Sequence, residues 1–361
     1  MNENKAAKGE ERAAPSPKAF HRASFSPAAY LLFALVMLLT LVLCVSVGSV
    51  SIPFRETVTI VLDALAGREA QGGTASSIIL TSRLPRVLCV ALTGASLSIC
   101  GAAMQGLLKN PLADGSTLGV SSGASLGAVI AIAFNITFPS LPFAGTMVMA
   151  MLFAFGSIVV ILSLAYRLDC SLSTNSIILI GVIYSMFASS LLSLIMTFSS
   201  DKLHNITFWT MGSLAGSSYR NALVLLVALA LCGGVLLRLS RELNAFAVGE
   251  DNARHVGVNV RAVRLTVLIA VSALIGVCVS IGGTIAFVGL VTPHVVRMIT
   301  GPNHARLLPA SLFAGSTFLM LCDLAARMIA NPLQLPIGVV TSLIGAVVFI
   351  VIFYRSRRSG A

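Results

Sequence analysis

The 361 residues are 57% hydrophobic and 10% charged, with a mean hydropathy of +0.94, which is more apolar surface than a water-soluble domain of this length buries. The formal charge of +11 comes from 24 Lys and Arg set against 13 Asp and Glu. Those positive charges flank apolar runs and never gather with aromatics on a polar stretch, which excludes a nucleic-acid surface and makes lipid the solvent.

Residues 1–27 are mostly polar and carry Lys5, Lys8, Arg12, Lys18 and Arg22. No small-residue cleavage site follows cleanly, so they read as a polar cytoplasmic tail. One transmembrane domain, residues 28–358, then begins with a run that stays as an anchor. Apolar runs of roughly 17 to 24 residues recur, matching a hydrocarbon core of roughly 30 Å at about 1.5 Å per residue. They predict spans near 30–50, 87–108, 118–134, 143–166, 177–198, 222–239, 265–281, 285–299, 307–324 and 337–354. The third and eighth are short and rich in glycine, and 206–216 is too short to cross and reads as an external half-helix. The expectation is an all-α, polytopic membrane protein with about ten transmembrane helices. About 17 of the 24 Lys and Arg fall in the tails and even-numbered loops, which puts both termini in the cytoplasm.

Gly115, Gly119, Gly123 and Gly127 recur at four-residue steps along the start of the third span. On one helix they form a single bare stripe, suited to close helix packing or to lining a pathway. Six cysteines (Cys44, Cys89, Cys100, Cys232, Cys278 and Cys322) sit in apolar runs without CxxC spacing, so neither a disulfide nor a metal site is expected. The sequence has no GxxxxGK[ST] loop and no catalytic constellation, so the chain is not an enzyme and hydrolyses no ATP by itself. Uphill transport would then draw on a partner ATPase or on an ion gradient sensed by buried ionisable groups. Asp323 is the only acidic residue in the predicted spans, and Arg327 four positions later offers it an i,i+4 partner near the outer surface.

The partner option needs a docking element, and residues 243–260 supply one. Asn244 precedes an apolar cluster, Gly249 breaks it, Glu250 and Asp251 favour a second helix start, and Gly257 ends that helix. Two short helices joined by glycine make a firm knob for another protein, or an amphipathic turn that joins two spans.

Several motifs then agree in order with one family. Arg83, Leu84, Pro85 and Arg86 open the second span, and Asn110, Pro111, Leu112 and Ala113 follow it. Leu118, Gly119 and Val120 with Gly123 and Ala124 start the third, while Trp209, Gly212, Ser213 and Leu214 form a WxxGSL element. Phe287 to Val291 with Pro293, His294 and Arg297 resembles an FxGLxxPHxxR motif, and Leu335 to Thr341 an LPxGVxT motif. From about Ser49 to Tyr354 the chain resembles FecCD-type permeases, which import iron-siderophores, haem and cobalamin within ATP-binding-cassette transporters.

The resemblance implies type II importer architecture in the cytoplasmic (inner) membrane. A homodimer or paralogue pair would be served by two ATP-binding subunits that use ATP and Mg, and by an extracytoplasmic binding protein. It implies an ATPase-coupling loop in Phe246, Val248, Gly249, Glu250, Arg254 and Gly257, with packing by Phe246 and Val248. It also implies binding-protein docking by Arg83, Arg86 and Arg327, whereas the residues alone equally suit interfacial snorkelling for the first two. This chain itself would bind no cofactor and no metal, and lone His294 reads as a structural group. The expected cargo is an iron complex, with cobalamin the alternative. An ion-coupled carrier built on Asp323, or a non-transporting scaffold, are the other classes.

Overall fold

The computed structural model describes residues 27–358 apart from 49, 51, 69–72, 138–143, 169–173 and 331–332. The tail read at 1–27 therefore lies outside the described residues except for Pro27. All regular structure among the described residues is helical. The chain runs α1 (Pro27–Ser46), α2 (Phe54–Leu65), α3 (Gly73–Leu107), α4 (Val120–Ala133), α5 (Ala144–Leu168), α6 (Thr174–Phe198) and α7 (Leu203–Thr210). It continues with α8 (Tyr219–Arg238), α9 (Ser240–Val248), α10 (Glu250–His255), α11 (Val260–Gly282), α12 (Val288–Thr300), α13 (His304–Met328) and α14 (Ile337–Arg358).

Each of the ten predicted spans coincides with a helix. Among the described residues, seven helices are long and apolar enough to cross a membrane (α1, α3, α5, α6, α8, α11 and α13), while α4, α12 and the apolar part of α14 are shorter. The protein is thus a multi-pass membrane protein. The segment read as a half-helix is the eight-residue α7. The unpredicted α2 is amphipathic, with Phe54 and Leu62 exposed and Ile60 buried.

Burial divides the bundle. In α3 89% of the most apolar stretch is covered by other helices, whereas in α1 the share is 17%. Small residues explain the central position of α3, because without side chains two backbones approach closely. A Cβ on Gly94 would stand 2.3 Å from Gly315 O, and one on Gly315 the same distance from Gly94 O, so α3 and α13 touch backbone to backbone. Ser316 Oγ donates to Ala91 O at 2.8 Å beside that crossing. A Cβ on Gly101 would fall 1.8 Å from Gly289 O, which brings α12 equally close.

Pro293 lies inside α12 and has no N–H to offer Gly289 O, one turn earlier. The Gln105 amide Nε2 of α3 reaches that freed turn instead, donating to Leu290 O at 3.1 Å and Gly289 O at 3.5 Å. Arg297 Nη2 in turn donates to Gln105 Oε1 at 3.0 Å. A kinked helix is thereby satisfied by its neighbour rather than by water, as an apolar solvent requires.

The link between α11 and α12 is non-helical and turns at Gly283 (φ 68°) and Phe287 (φ 68°). It docks on the α7 turn: Ser213 N donates to Gly282 O at 2.8 Å, and Thr284 Oγ1 donates to Thr210 O. Gly338 and Gly345 on α14 leave room for Met211 O and the Phe287 side chain.

The glycine stripe is corrected. Helix α4 begins only at Val120; Gly115 opens a tight turn, Gly115–Leu118, and Gly119 is left-handed at φ 76°. The four glycines therefore do not share one helix face. Gly115 faces Ile275 of α11, Gly119 faces Gly181 O of α6, and Gly123 and Gly127 face Ser157 and Met149 O of α5. All four serve close approach, each to its own neighbour.

Candidate functional site

At one end of the bundle, α9 and α10 form the two-helix knob expected at 243–260. Gly249 ends α9 at φ 147°, and the acidic Glu250 and Asp251 occupy the first turn of α10, where the helix dipole favours them. Gly257, at φ 84°, stops α10, with its N–H on Arg254 O at 3.0 Å and Val258 N on Ala253 O at 3.0 Å. Asn259 then caps α11, its side chain accepting from Ala262 N at 3.0 Å.

The knob's side chains divide into held and presented. Glu250 accepts from buried Arg264 of α11, a pairing that ties α10 to a span. Phe246 was expected to pack against a partner; it is fully buried, and so is Leu243, so both hold the knob to its own bundle. Val248 at the end of α9 and Val256 just after α10 are each 73% exposed, large apolar side chains presented outward. Arg254 is solvent-facing, 3.8 Å from the exposed Asp251, a geometry that adds little stability. A polar hollow of about 580 Å³ opens beside the knob, lined by Lys109, Asn175, Glu250 and Asn252 among others.

The knob is also pinned from within by Asn244, which was expected to precede the first short helix and instead lies inside α9 (Ser240–Val248). Asn244 Nδ2 donates to Asn303 Oδ1 at 2.9 Å, and Asn244 Oδ1 accepts from His304 N at 2.8 Å. The same oxygen lies 2.9 Å from His304 Nδ1. Asn303 meanwhile caps α13 by accepting from Ala305 N at 3.0 Å. Asn244 was read as a helix-start signal, and local spacing does not mark its partners, which lie 59 and 60 positions away on another helix.

At the opposite end of α3 and α13 lies a buried charge cluster. Arg83, Arg86 and Arg327 were expected on a surface; they are 6%, 7% and 7% exposed. Arg86 donates from Nε (3.0 Å) and Nη2 (2.8 Å) to Asp323 Oδ1, and from Nη1 to Gln334 Oε1 at 2.6 Å. Arg327 Nε stands 3.0 Å from Asp323 Oδ2, in ion-pair contact but outside hydrogen-bond alignment. The i,i+4 pair read from sequence is therefore present, buried and shared with α3.

The same arginines finish α1, whose last turn has no basic residue of its own. Arg83 Nη1 donates to Val45 O (3.1 Å) and Ser46 O (2.8 Å), and its Nη2 to Val50 O. Arg327 Nη2 donates to Cys44 O at 3.0 Å and Nη1 to Val47 O at 3.3 Å. Cations at a helix C-terminus satisfy its orphan carbonyls and its dipole together. The correction has a plain cause: three guanidiniums in a low-dielectric bundle find internal acceptors before they find a partner. His294 keeps a buried Nδ1 without a hydrogen-bond partner on α12.

The description of the FecCD transport family matches residues 35–355. The chain is 40% identical over 343 residues to the uncharacterized ABC transporter permease protein YvrB of Bacillus subtilis, covering 92% of this chain and 95% of that protein. It is 35% identical to the molybdate import system permease protein MolB of Haemophilus influenzae, covering 91% and 97%. To the vitamin B12 import system permease protein BtuC of Vibrio vulnificus it is 37% identical, covering 78% and 83%. A solved structure described as an inward-facing metal-chelate type ABC transporter superposes with a TM-score of 0.80 at 32% identity, over 91% of this chain and all of that one. The family match over most of the chain and the nearly full-length similarity agree: the chain belongs to the FecCD transport family, whose members are permease subunits.

Proposed function

We propose that this chain moves an iron complex across the cytoplasmic membrane by alternating access, driven by ATP that partner subunits hydrolyse. The observation that carries the reading is the knob. It is anchored to its own spans by Phe246, Leu243 and the Glu250–Arg264 pair, yet leaves Val248 and Val256 largely exposed among the described residues. Two exposed valines on a rigid mount suit an apolar groove on a cytoplasmic ATPase, with Asp251 and Arg254 at its polar rim. With α9 and α10 facing the cytoplasm, both termini lie on that side, and the Arg86–Asp323–Arg327 cluster lies toward the outside, where a binding protein delivers cargo. In this reading the three arginines brace that outer surface from beneath.

A second copy would complete the path. Helix α6 supports this, since it carries exposed hydroxyls on a face its own subunit leaves uncovered. Ser190, Ser193 and Thr197 donate to Met186 O, Ser189 O and Ser193 O at 2.9, 3.0 and 2.9 Å. Hydroxyls satisfied by their own helix give a weakly binding wall, which suits a bulky chelate in transit. Cobalamin is the second reading, favoured by the similarity to BtuC along 78% of the chain.

The test is uptake into proteoliposomes holding the chain with its ATPase and binding protein. Labelled ferric siderophore, haem, cobalamin and molybdate are offered with and without ATP. The expected result is uptake of an iron complex that requires ATP and the binding protein. Cobalamin uptake alone selects the second reading, molybdate uptake alone overturns the chelate, and ATP-independent uptake abolished by an ionophore overturns the mechanism.

A further inference from the structure

If the knob receives the ATPase stroke, some element must carry it to the far end of the bundle. Helix α13 has the required form. Its 25 residues span about 36 Å at about 1.5 Å each. It lies against α3 with opposed registers: Gly106 of α3 meets His304, Gly94 meets Gly315, and Arg86 meets Asp323. Both ends are fixed by buried polar contacts while the middle is backbone-to-backbone.

At the knob end the fixing is unusually specific. The one side chain of Asn244 uses its donor on Asn303 and its acceptor on both the backbone N and the ring Nδ1 of His304. His304 is buried at 3% exposure and wedged against the last turns of α3, where a Cβ on Gly106 would stand 2.2 Å from Nε2. Moving α9 therefore displaces the first turn of α13, and α3 with it. Helix α10 has its own polar tie, the Glu250–Arg264 pair, but that tie leads to α11, so the Asn244 contacts are the ones that lead to α13.

We infer that Asn244 is the joint through which the two-helix knob drives α13 as a lever, and that the Arg86–Asp323–Arg327 cluster is the lever's far attachment. Asn244 is a positioning residue that touches no cargo and no nucleotide. The inference rests on the proposed ATP-driven reading, so its test separates the two.

The experiment is hydrogen–deuterium exchange of the chain assembled with its ATPase, with and without ATP and vanadate, read by mass spectrometry. In the unaltered complex nucleotide is expected to change exchange in α9–α10, in the first turn of α13, and around Asp323 to Met328. In Asn244→Leu, which keeps the branched shape and removes all three polar contacts, the change is expected to remain in α9–α10 and to fall at least threefold at both ends of α13. Asn244→Asp keeps the acceptor for His304 and is expected to retain most of the far-end change. A purely structural role for Asn244 would alter exchange equally with and without nucleotide. Where Asn244→Leu fails to assemble, Asn244→Ala serves, because it removes the same contacts to Asn303 and His304 without adding bulk. A far-end response undiminished in Asn244→Leu or Asn244→Ala overturns the joint, as does an unaltered complex that responds at α9–α10 but not in α13. An unaltered complex with no response even at α9–α10 overturns the ATP-driven reading itself.

Discussion

Asp323 accepts two hydrogen bonds from Arg86, faces Arg327 and is 1% exposed, so its charge has been exchanged from water to two guanidiniums. A buried pair of this kind contributes little net stability when whole but costs heavily when one side is removed, because the survivors stay buried and uncompensated. Asp323→Asn is therefore expected to destabilise the protein by about 3–5 kcal/mol, read as thermal unfolding in detergent. An unchanged midpoint would mean that water reaches the cluster. Phe287 permits a sharper comparison. Its φ of 68° is a conformation that L side chains adopt at a cost of about 1–2 kcal/mol and glycine adopts freely. Phe287→Gly and Phe287→Ala lose the same ring, yet the glycine variant is expected to be more stable by about 1 kcal/mol or more; equal stabilities would show that this turn relaxes.

Between elements, the decisive quantity is the distance of approach. Gly101 gives α12 a path along α3 that a single methyl would block, since its Cβ would stand 1.8 Å from Gly289 O. Gly101→Ala is expected to cost at least about 1–3 kcal/mol through overpacking and to lower the yield of monodisperse protein. Gly156 of α5 is the control, because a Cβ there meets nothing within 4 Å. Gly156→Ala is expected to be neutral or to stabilise by about 0.5–1 kcal/mol from helix propensity alone. The contrast would vanish if both glycines merely supplied flexibility.

Across the whole molecule, the proposed function asks the knob to be firm toward its own spans and adhesive toward a partner. The fold divides these tasks by burial: Phe246 inward, Val248 and Val256 outward. The double variant Val248→Asp, Val256→Asp is expected to keep its melting temperature while losing most co-purification with the ATPase. Phe246→Ala is expected to do the reverse at first, costing about 3–5 kcal/mol of stability as a large core-residue truncation. Retained ATPase binding in the double valine variant would move the contact surface elsewhere, with the hollow beside Lys109 and Asn252 the next place to alter.

The ten apolar spans and their order were legible as helices in the amino-acid sequence, because hydrocarbon thickness fixes span length and only helices satisfy their backbone there, whereas the amphipathic α2 was not. The two-helix knob was legible too, since Gly249, the acidic pair after it and Gly257 are local signals of helix ends. So was the Asp323–Arg327 pairing, which follows from helical spacing. Partners distant in the chain were not legible. Arg86 with Asp323, Glu250 with Arg264 and Asn244 with His304 are chosen by which helices pack together, and apolar periodicity carries no label for that choice. The same gap placed Phe246 and the three arginines on the wrong side of the surface: sequence records that a side chain is amphipathic or charged, while only the packed bundle decides whether water or another helix satisfies it.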